Sequence, residues 1–454
     1  MDTQAMAWYG RLLSGLLFVA WSGVLAQAGE NKFRLLHADH EAAQARADVI
    51  RSATKSIETT YYWIGDDRIG AWYMSLLLEA ACRGVRVRLV VDADYNDVPP
   101  TVERRLVSSG VEIKEFHPRG RGQLSWLNRR MHDKTIIVDD RQLIVGSRNM
   151  RDSHFGLAKL NYVDRDAYLC GEVAAHARRY FDCLWNCDQV GWTDFEQTAE
   201  QRRRQRKAER SGEFLASYGD KSVSPDRWFA AGCKVTICGE PIECDAYDWC
   251  AEACPACGVC FVYDPCGIKG HPRGISQQLL NFLASARGSI VLETPYFVMS
   301  HDLKRVLGDA TARGVHVLLL TNSLASTDQK CVTAEFHNQK HWLLAHGVEI
   351  WELAGPNHLH AKSAVVDRSA AFVGSYNFDP RSELLNTETG VIVHDAGVAE
   401  WVLNSIGEHL GRSYQFGPDG RAVADGSRHP GASLGRILHM QSTRLFAPLF
   451  RKSL

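Results

Sequence analysis

An excess of charge of either sign is missing from this sequence. Its 454 residues hold 52 Lys and Arg against 53 Asp and Glu, so no global positive field gathers nucleic acid by counterion release. That weakens a nuclease reading and argues against a nucleic-acid partner. Long hydrophobic runs are also scarce. The first 28 residues contain one, "LLSGLLFVAWSGVL", and it falls short of the roughly 20 residues that a bilayer-spanning helix needs. With Arg11 before it and "AQA" at 26–28 after it, it reads as an export signal peptide, with a retained N-terminal anchor as the rival. Zinc-type spacing is absent from His37, His40, His337 and His341. Disorder is not expected either. The chain is 45% hydrophobic and 23% charged, and long enough for two domains with sizeable cores.

What the sequence does contain is a repeat. "ETTYYW" at 58 returns as "ETPYFV" at 293, "RGVRVRLVVD" at 83 as "RGVHVLLLTN" at 313, and "GVEIKEF" at 110 as "GVEIWEL" at 347. A near-constant offset in unchanged order argues for two homologous lobes, placed at 29–195 and 271–412. Within each, helical and strand patterns alternate: "AWYMSLLLEAACRG" has helical spacing and stops at a glycine, and "VRVRLVVD" alternates as a strand does. The expected fold class is α/β, each lobe a mixed β-sheet flanked by helices, the two packed about a pseudo-two-fold axis. Residues 413–454 are left as a C-terminal tail.

One repeated phrase carries chemistry. "HDKTIIVDDRQLIVGSRN" begins at His132 and "HAKSAVVDRSAAFVGSYN" at His360. In an extended segment, residues two apart share a face, so His132 points with Lys134 and His360 with Lys362. Asp139 and Asp367 lie seven residues beyond their histidines, on the order of 20 Å along a straight strand and at opposite parity. They cannot orient those histidines, and are expected to anchor the strand ends. Brought face to face by the pseudo-two-fold, two histidines and two lysines with Ser147, Asn149, Ser375 and Asn377 form a donor-rich electropositive pocket suited to a phosphodiester. One imidazole can attack phosphorus, the other can protonate the departing alkoxide, and lysines, serines and amides can hold the non-bridging oxygens.

These phrases resemble the paired H-x-K-x-x-x-x-D motifs of the phospholipase D superfamily, each with its G-S-x-N. The flanking "TNSLASTDQ" at 321 and "NTETG" at 386 are most similar to the bacterial cardiolipin synthase branch, type C-like. The resemblance implies a catalytic set of His132, Lys134, Asp139, His360, Lys362 and Asp367, although strand geometry gives the two aspartates a structural part. It also implies a phosphohistidine intermediate, with His132 as nucleophile and His360 as acid and then base. Each histidine should be oriented by an acidic residue outside its motif: Glu388 for one, Asp164 or Asp166 for the other. Neither metal nor other cofactor is required. The leading expectation is a phosphatidyltransferase acting on phospholipid at a membrane surface, exported to the periplasm or the outer face of a bacterial inner membrane and complete as one chain. A hydrolase of lipid or nucleic-acid phosphodiesters is the first alternative. A non-catalytic lipid-binding scaffold is the second, and the two intact motifs stand against it.

The stretch 196–270 departs from that family. It holds the basic run "QRRRQRKAER" and eight of the 13 cysteines: Cys233, Cys238, Cys244, Cys250, Cys254, Cys257, Cys260 and Cys266. An exported chain with an even count suggests a disulfide-stapled insertion. The C-P-A-C-G-V-C core also has iron-sulfur or zinc spacing, the reading that applies if the chain is not exported.

Overall fold

The computed structural model describes residues 31–117, 129–193, 235–243, 247–265 and 274–448. The apolar N-terminal stretch, the basic run at 201–210, Cys233, Cys244 and Cys266 lie outside those residues. Among the described residues, the first sheet contains β1 (Lys32–Leu36), β2 (Ser56–Tyr61), β3 (Arg86–Asp92), β4 (Val111–Phe116), β5 (Lys134–Val138), β6 (Gln142–Gly146), β7 (Asp166–Cys170), β8 (Val190–Trp192) and β9 (Cys254–Pro255). Across the sheet they run β8, β4, β3, β2, β5, β6, β7, β1, β9. The second sheet contains β10 (Val259–Tyr263), β11 (Ser289–Glu293), β12 (His316–Asn322), β13 (Glu349–Leu353), β14 (Ser363–Val366), β15 (Ala370–Gly374), β16 (Thr389–Val393) and β17 (Ser413–Phe416). Its order is β10, β16, β15, β14, β11, β12, β13, β17. In both, three parallel strands meet the antiparallel hairpin that carries the motif. The repeat seen in sequence is thus a repeat of topology.

Nine helices matter to the layers: α1 (Asp39–Ser52), α2 (Arg68–Cys82), α3 (Pro100–Ser108), α4 (Glu172–Trp185), α5 (Gly274–Ala284), α6 (His301–Ala312), α7 (Lys330–Ala345), α8 (Ala396–Leu410) and α9 (Leu434–Arg444). Helix α2 starts where the Asp67 side chain accepts the Gly70 N–H and closes just before Gly84 at φ 88°; such a cap contributes about 1 kcal/mol. One apolar core, with Trp72, Leu77 and Ile136, lies in the first lobe, and another, with Leu279, Leu307 and Leu319, in the second. A third joins them: Phe33, Val145, Leu169 and Phe181 pack with Leu318, Val365, Val391 and Val402. Each such side chain contributes roughly 1.5–3 kcal/mol when buried. The lobes are therefore fused by shared core as well as linked by chain, and a site between them is held rigidly.

Both lobe boundaries move. Strand β10 enters the second sheet at Val259 and β17 completes it at 413–416, so that lobe reaches further at each end than 271–412. The described part of the Cys-rich segment is accordingly divided between the two sheets. Cys254 sits in β9 of the first sheet and Cys260 in β10 of the second, so strand pairing pulls their thiols apart. Cys250 is bonded to Cys170 of the first lobe, while Cys238, Cys254, Cys257 and Cys260 are free. The tail folds back as well: Met440 of α9 and Ala447 pack on Leu324 and Ala334. Among the described residues, no helix is long and apolar enough to cross a membrane.

Candidate active site

Two short crossings between the lobes build the site. Arg130–Met131 pairs in parallel with Asn386–Thr387, and His358–Leu359 with Tyr162–Val163. One residue further on, the His132 N–H donates to Thr387 O at 3.0 Å and the His360 N–H to Val163 O at 2.8 Å. Each crossing therefore sets a histidine of one lobe beside a carboxylate of the other. His132 Nδ1 lies 3.0 and 2.9 Å from the two oxygens of Glu388, and His360 Nδ1 lies 2.6 Å from Asp164 Oδ1. With Nδ1 so engaged, Nε2 is the nitrogen left for substrate. Both rings line one cavity of about 420 Å³, together with Asn149, Asn377, Tyr62 and Arg381.

The lysines stand behind the histidines. The Lys134 ammonium donates to the His132 carbonyl and the Lys362 ammonium to the His360 carbonyl. Burial pushes Lys134 down to about 7 and Lys362 down to about 8, against the pull of the nearby carboxylates. Burial also holds the His132 and His360 imidazoles well below the ordinary histidine range, with Lys134 adding to this at His132 and Lys362 at His360. The two carboxylates diverge. Burial drives Glu388 up to about 7 despite Lys134. Burial acts on Asp164 in the same sense, but the His360 and His154 imidazoles beside it bring it well below the usual carboxylate range.

Four sequence expectations are refined here. Asp166 orients no histidine: its carboxylate lies 2.8 Å from Arg46 and 3.1 Å from Arg148 and accepts the Ser147 N–H. Asp164 and Asp166 share parity, but Asp164 precedes β7 and follows the crossing into the other lobe. Ser147 and Ser375 are not phosphate ligands: both are fully buried, and their hydroxyls donate to Asp164 and Glu388. Asn149 and Asn377 do line the cavity, each with its Oδ1 unpartnered among the described residues. Asp139 and Asp367 leave the catalytic set. Asp139 accepts N–H bonds from Thr54, Lys55 and Ser56, and Asp367 from Arg287, Gly288 and Ser289. Both open two-residue turns in which each central φ is positive, 54° and 56° in one, 52° and 53° in the other, the hairpin type that tolerates Asp. The glycine of each G-S-x-N is a matter of space: a Cβ on Gly146 would lie 2.7 Å from Arg165 O, and one on Gly374 would lie 2.5 Å from Thr389 O.

Sequence reasoning missed the rest of the carboxylate shells. Ser382 and Asn386 donate to Glu388 Oε1 at 2.8 and 3.0 Å, and His154 Nδ1 lies 2.7 Å from Asp164 Oδ2. The offset of 228 that relates His132 to His360 also relates His154 to Ser382, and it was the available signal. His154, Asp164 and His360 are also the one group of three potential metal ligands found close together among the described residues. Hydrogen bonds already join both carboxylate oxygens to the rings. Arg165 was missed as well: from the first lobe it reaches Glu293, Ser363 and Ser405 of the second, fully buried.

Comparison with known proteins places the chain in a family. The family described as cardiolipin synthase, PLD-like domain, matches residues 47–185 and 279–410. Cardiolipin synthase C of Escherichia coli K12 is 30% identical over 397 residues, 80% of this chain and 81% of that one. Cardiolipin synthase A of Pseudomonas syringae is 27% identical, over 84% of this chain and 68% of its own. The crystal structure of phosphatidylserine synthase from Haemophilus influenzae Rd KW20 shares the fold, with a TM-score of 0.63 and 14% identity, covering 93% of this chain and 95% of that one. Since the family match takes in both lobes and both histidine motifs, the chain belongs to the cardiolipin synthase, PLD-like domain family and is an enzyme of the phospholipase D superfamily.

Proposed function

We propose that this enzyme is a phosphatidyltransferase that moves a phosphatidyl group onto a lipid alcohol through a phosphohistidine. The observation that carries this reading is the crossed pairing: two histidines, each backed at Nδ1 by a carboxylate from the opposite lobe, share one cavity. In the first step the His132 Nε2 lone pair bonds to phosphorus and the P–O bond to the departing alcohol breaks, its oxygen taking a proton from His360. In the second step an acceptor alcohol returns a proton to His360 as its oxygen bonds to phosphorus and the N–P bond breaks. Glu388 offsets the charge that forms on His132 when it is bonded to phosphorus, and the Asp164 anion opposes the burial and the Lys362 charge that drive the proton off His360. The lysines, Asn149 and Asn377 offset charge on the phosphoryl oxygens.

The acceptor is read from the relatives, which are cardiolipin synthases. An apolar N-terminal stretch and the Cys170–Cys250 bond support an oxidising compartment, the outer face of a bacterial inner membrane, as its place of work. Purified protein given labelled phosphatidylglycerol, phosphatidylethanolamine and single-stranded DNA tests the reading. A diphosphatidyl lipid is the expected product. Phosphatidic acid alone, or cut DNA, overturns the transferase.

A further inference from the structure

The duplication carries one half of the site onto the other, and in a donor that serves the carboxylate the chemistry changes. A shift of 228 residues takes His132 to His360, Ser147 to Ser375 and Asn149 to Asn377, and it takes His154 to Ser382. Both members of the last pair serve a carboxylate: Ser382 Oγ lies 2.8 Å from Glu388 Oε1, and His154 Nδ1 lies 2.7 Å from Asp164 Oδ2. Their reaches compensate. The longer carboxylate, Glu388, meets the shorter donor, and the shorter carboxylate, Asp164, meets the longer one.

His154 is 1% exposed, its ring stacked on Tyr162 with centroids 4.4 Å apart and set edge-on to His360 at 5.0 Å. Its Nε2 lies 3.3 Å from Asn149 Nδ2. If that amide donates to Nε2, Nδ1 carries the proton and donates to Asp164. A chain then runs from the cavity-lining Asn149 through His154 and Asp164 to His360. We infer that His154 is a positioning residue that holds Asp164 for His360 and so serves protonation of the leaving group. This assignment rests on the roles proposed above for His132 and His360. The contrast between Asp164, held well below the carboxylate range, and Glu388, raised to about 7, accords with it: His360 is backed by an anion and His132 by a group that titrates near neutrality.

The test uses two diesters: phosphatidylglycerol, whose alcohol needs a proton to leave, and phosphatidyl-p-nitrophenol, whose phenolate does not. His154→Ser should slow phosphoenzyme formation from phosphatidylglycerol by about 10- to 100-fold, the usual cost of losing an outer-shell partner, while the burst of p-nitrophenol stays within about threefold of wild type. Adding Asp164→Glu should restore most of the loss, because the pair then reproduces Ser382 with Glu388. Asp164→Glu alone should not reach wild-type rates. His154→Phe, which keeps the stacked ring without the donor, repeats the comparison should the serine variant not fold. Equal losses on both diesters in a variant that melts as wild type does, or a double variant no better than the singles, overturns the assignment of His154 alone. A wild-type chain that turns over neither diester overturns the functional reading and this inference with it.

Discussion

Changing Glu388 to Gln keeps the shape of the side chain and removes its charge. The Glu388 oxygens accept from Ser375, from Ser382 at 2.8 Å and from Asn386 at 3.0 Å, and lie 2.9 and 3.0 Å from His132 Nδ1. A glutamine still offers one oxygen to His132, so the ring keeps its orientation. Its amino group must then face a donor, either Ser375 or the Ser382 and Asn386 pair, at a cost of about 1–3 kcal/mol in stability. The larger effect falls on the reaction. When Nε2 bonds to phosphorus, His132 gains positive charge, and a carboxylate about 4 Å away in an effective dielectric of about 20 offsets it by about 4 kcal/mol. Only part of that charge has developed in the transition state, so kcat should fall roughly 30- to 300-fold. The pH profile sharpens the test. Glu388 and Lys134 both titrate at about 7 and Lys362 at about 8, so wild-type activity should pass through a narrow maximum near pH 7, rising as Glu388 ionises and falling as Lys134 and then Lys362 lose their protons. In the variant the acid limb should vanish. The alkaline limb should move to lower pH, because removing an anion disfavours the neighbouring Lys134 cation. Rapid-quench phosphoenzyme formation, with a thermal melt to establish folding, measures both. A folded Gln variant within tenfold of wild type, its acid limb unmoved, refutes the role given to Glu388.

Asp139→Asn should leave kcat within a few-fold while lowering Tm by about 1 °C per kcal/mol lost, since its carboxylate serves backbone N–H groups far from the cavity; a melt alongside steady-state kinetics separates these effects. Burial raises the Asp139 pKa, but the N–H groups of Ser56, Thr54 and Lys55 outweigh it and leave the group below its ordinary value. Its stabilisation is therefore complete above the unfolded carboxylate pKa and is lost as pH falls through the folded one; a variant whose deficit grows instead as pH drops contradicts this. Arg165→Met should strand Glu293 as a buried charge whose remaining side-chain partner among the described residues is His409 and destabilise the protein by about 3–5 kcal/mol, measured by denaturant titration; a loss under 1 kcal/mol would show that the inter-lobe ion pair is dispensable. Cys250→Ser opens a bond spanning 80 residues, which the chain-entropy account puts at about 4 kcal/mol. Limited proteolysis should then cut near residue 250 before either lobe, and unchanged cleavage would refute the tether.

The duplication and its α/β class were legible because periodicity and offset are local properties that survive divergence: "VRVRLVVD" becomes β3 and the glycine after "AACR" ends α2. The paired histidines were legible for the same reason, a short pattern repeated at one spacing. Strand parity was enough to separate Asp139 from His132, because it needs only extended geometry. What the chain order could not reveal was which carboxylate meets which ring. Asp164 and Asp166 have equal parity and similar neighbours, and only the crossing of 162–163 onto 358–359 turns one toward His360 and leaves the other with Arg46 and Arg148. The serines of G-S-x-N misled for a related reason. A hydroxyl near a phosphate site in sequence can face either way, and burial beside Asp164 and Glu388 sent both behind the histidines. The cysteines depended on tertiary structure most of all. Even spacing suggests a staple, but a disulfide needs two thiols in one place, and strand pairing carried Cys254 and Cys260 into different sheets while bringing Cys250 to Cys170, 80 residues away.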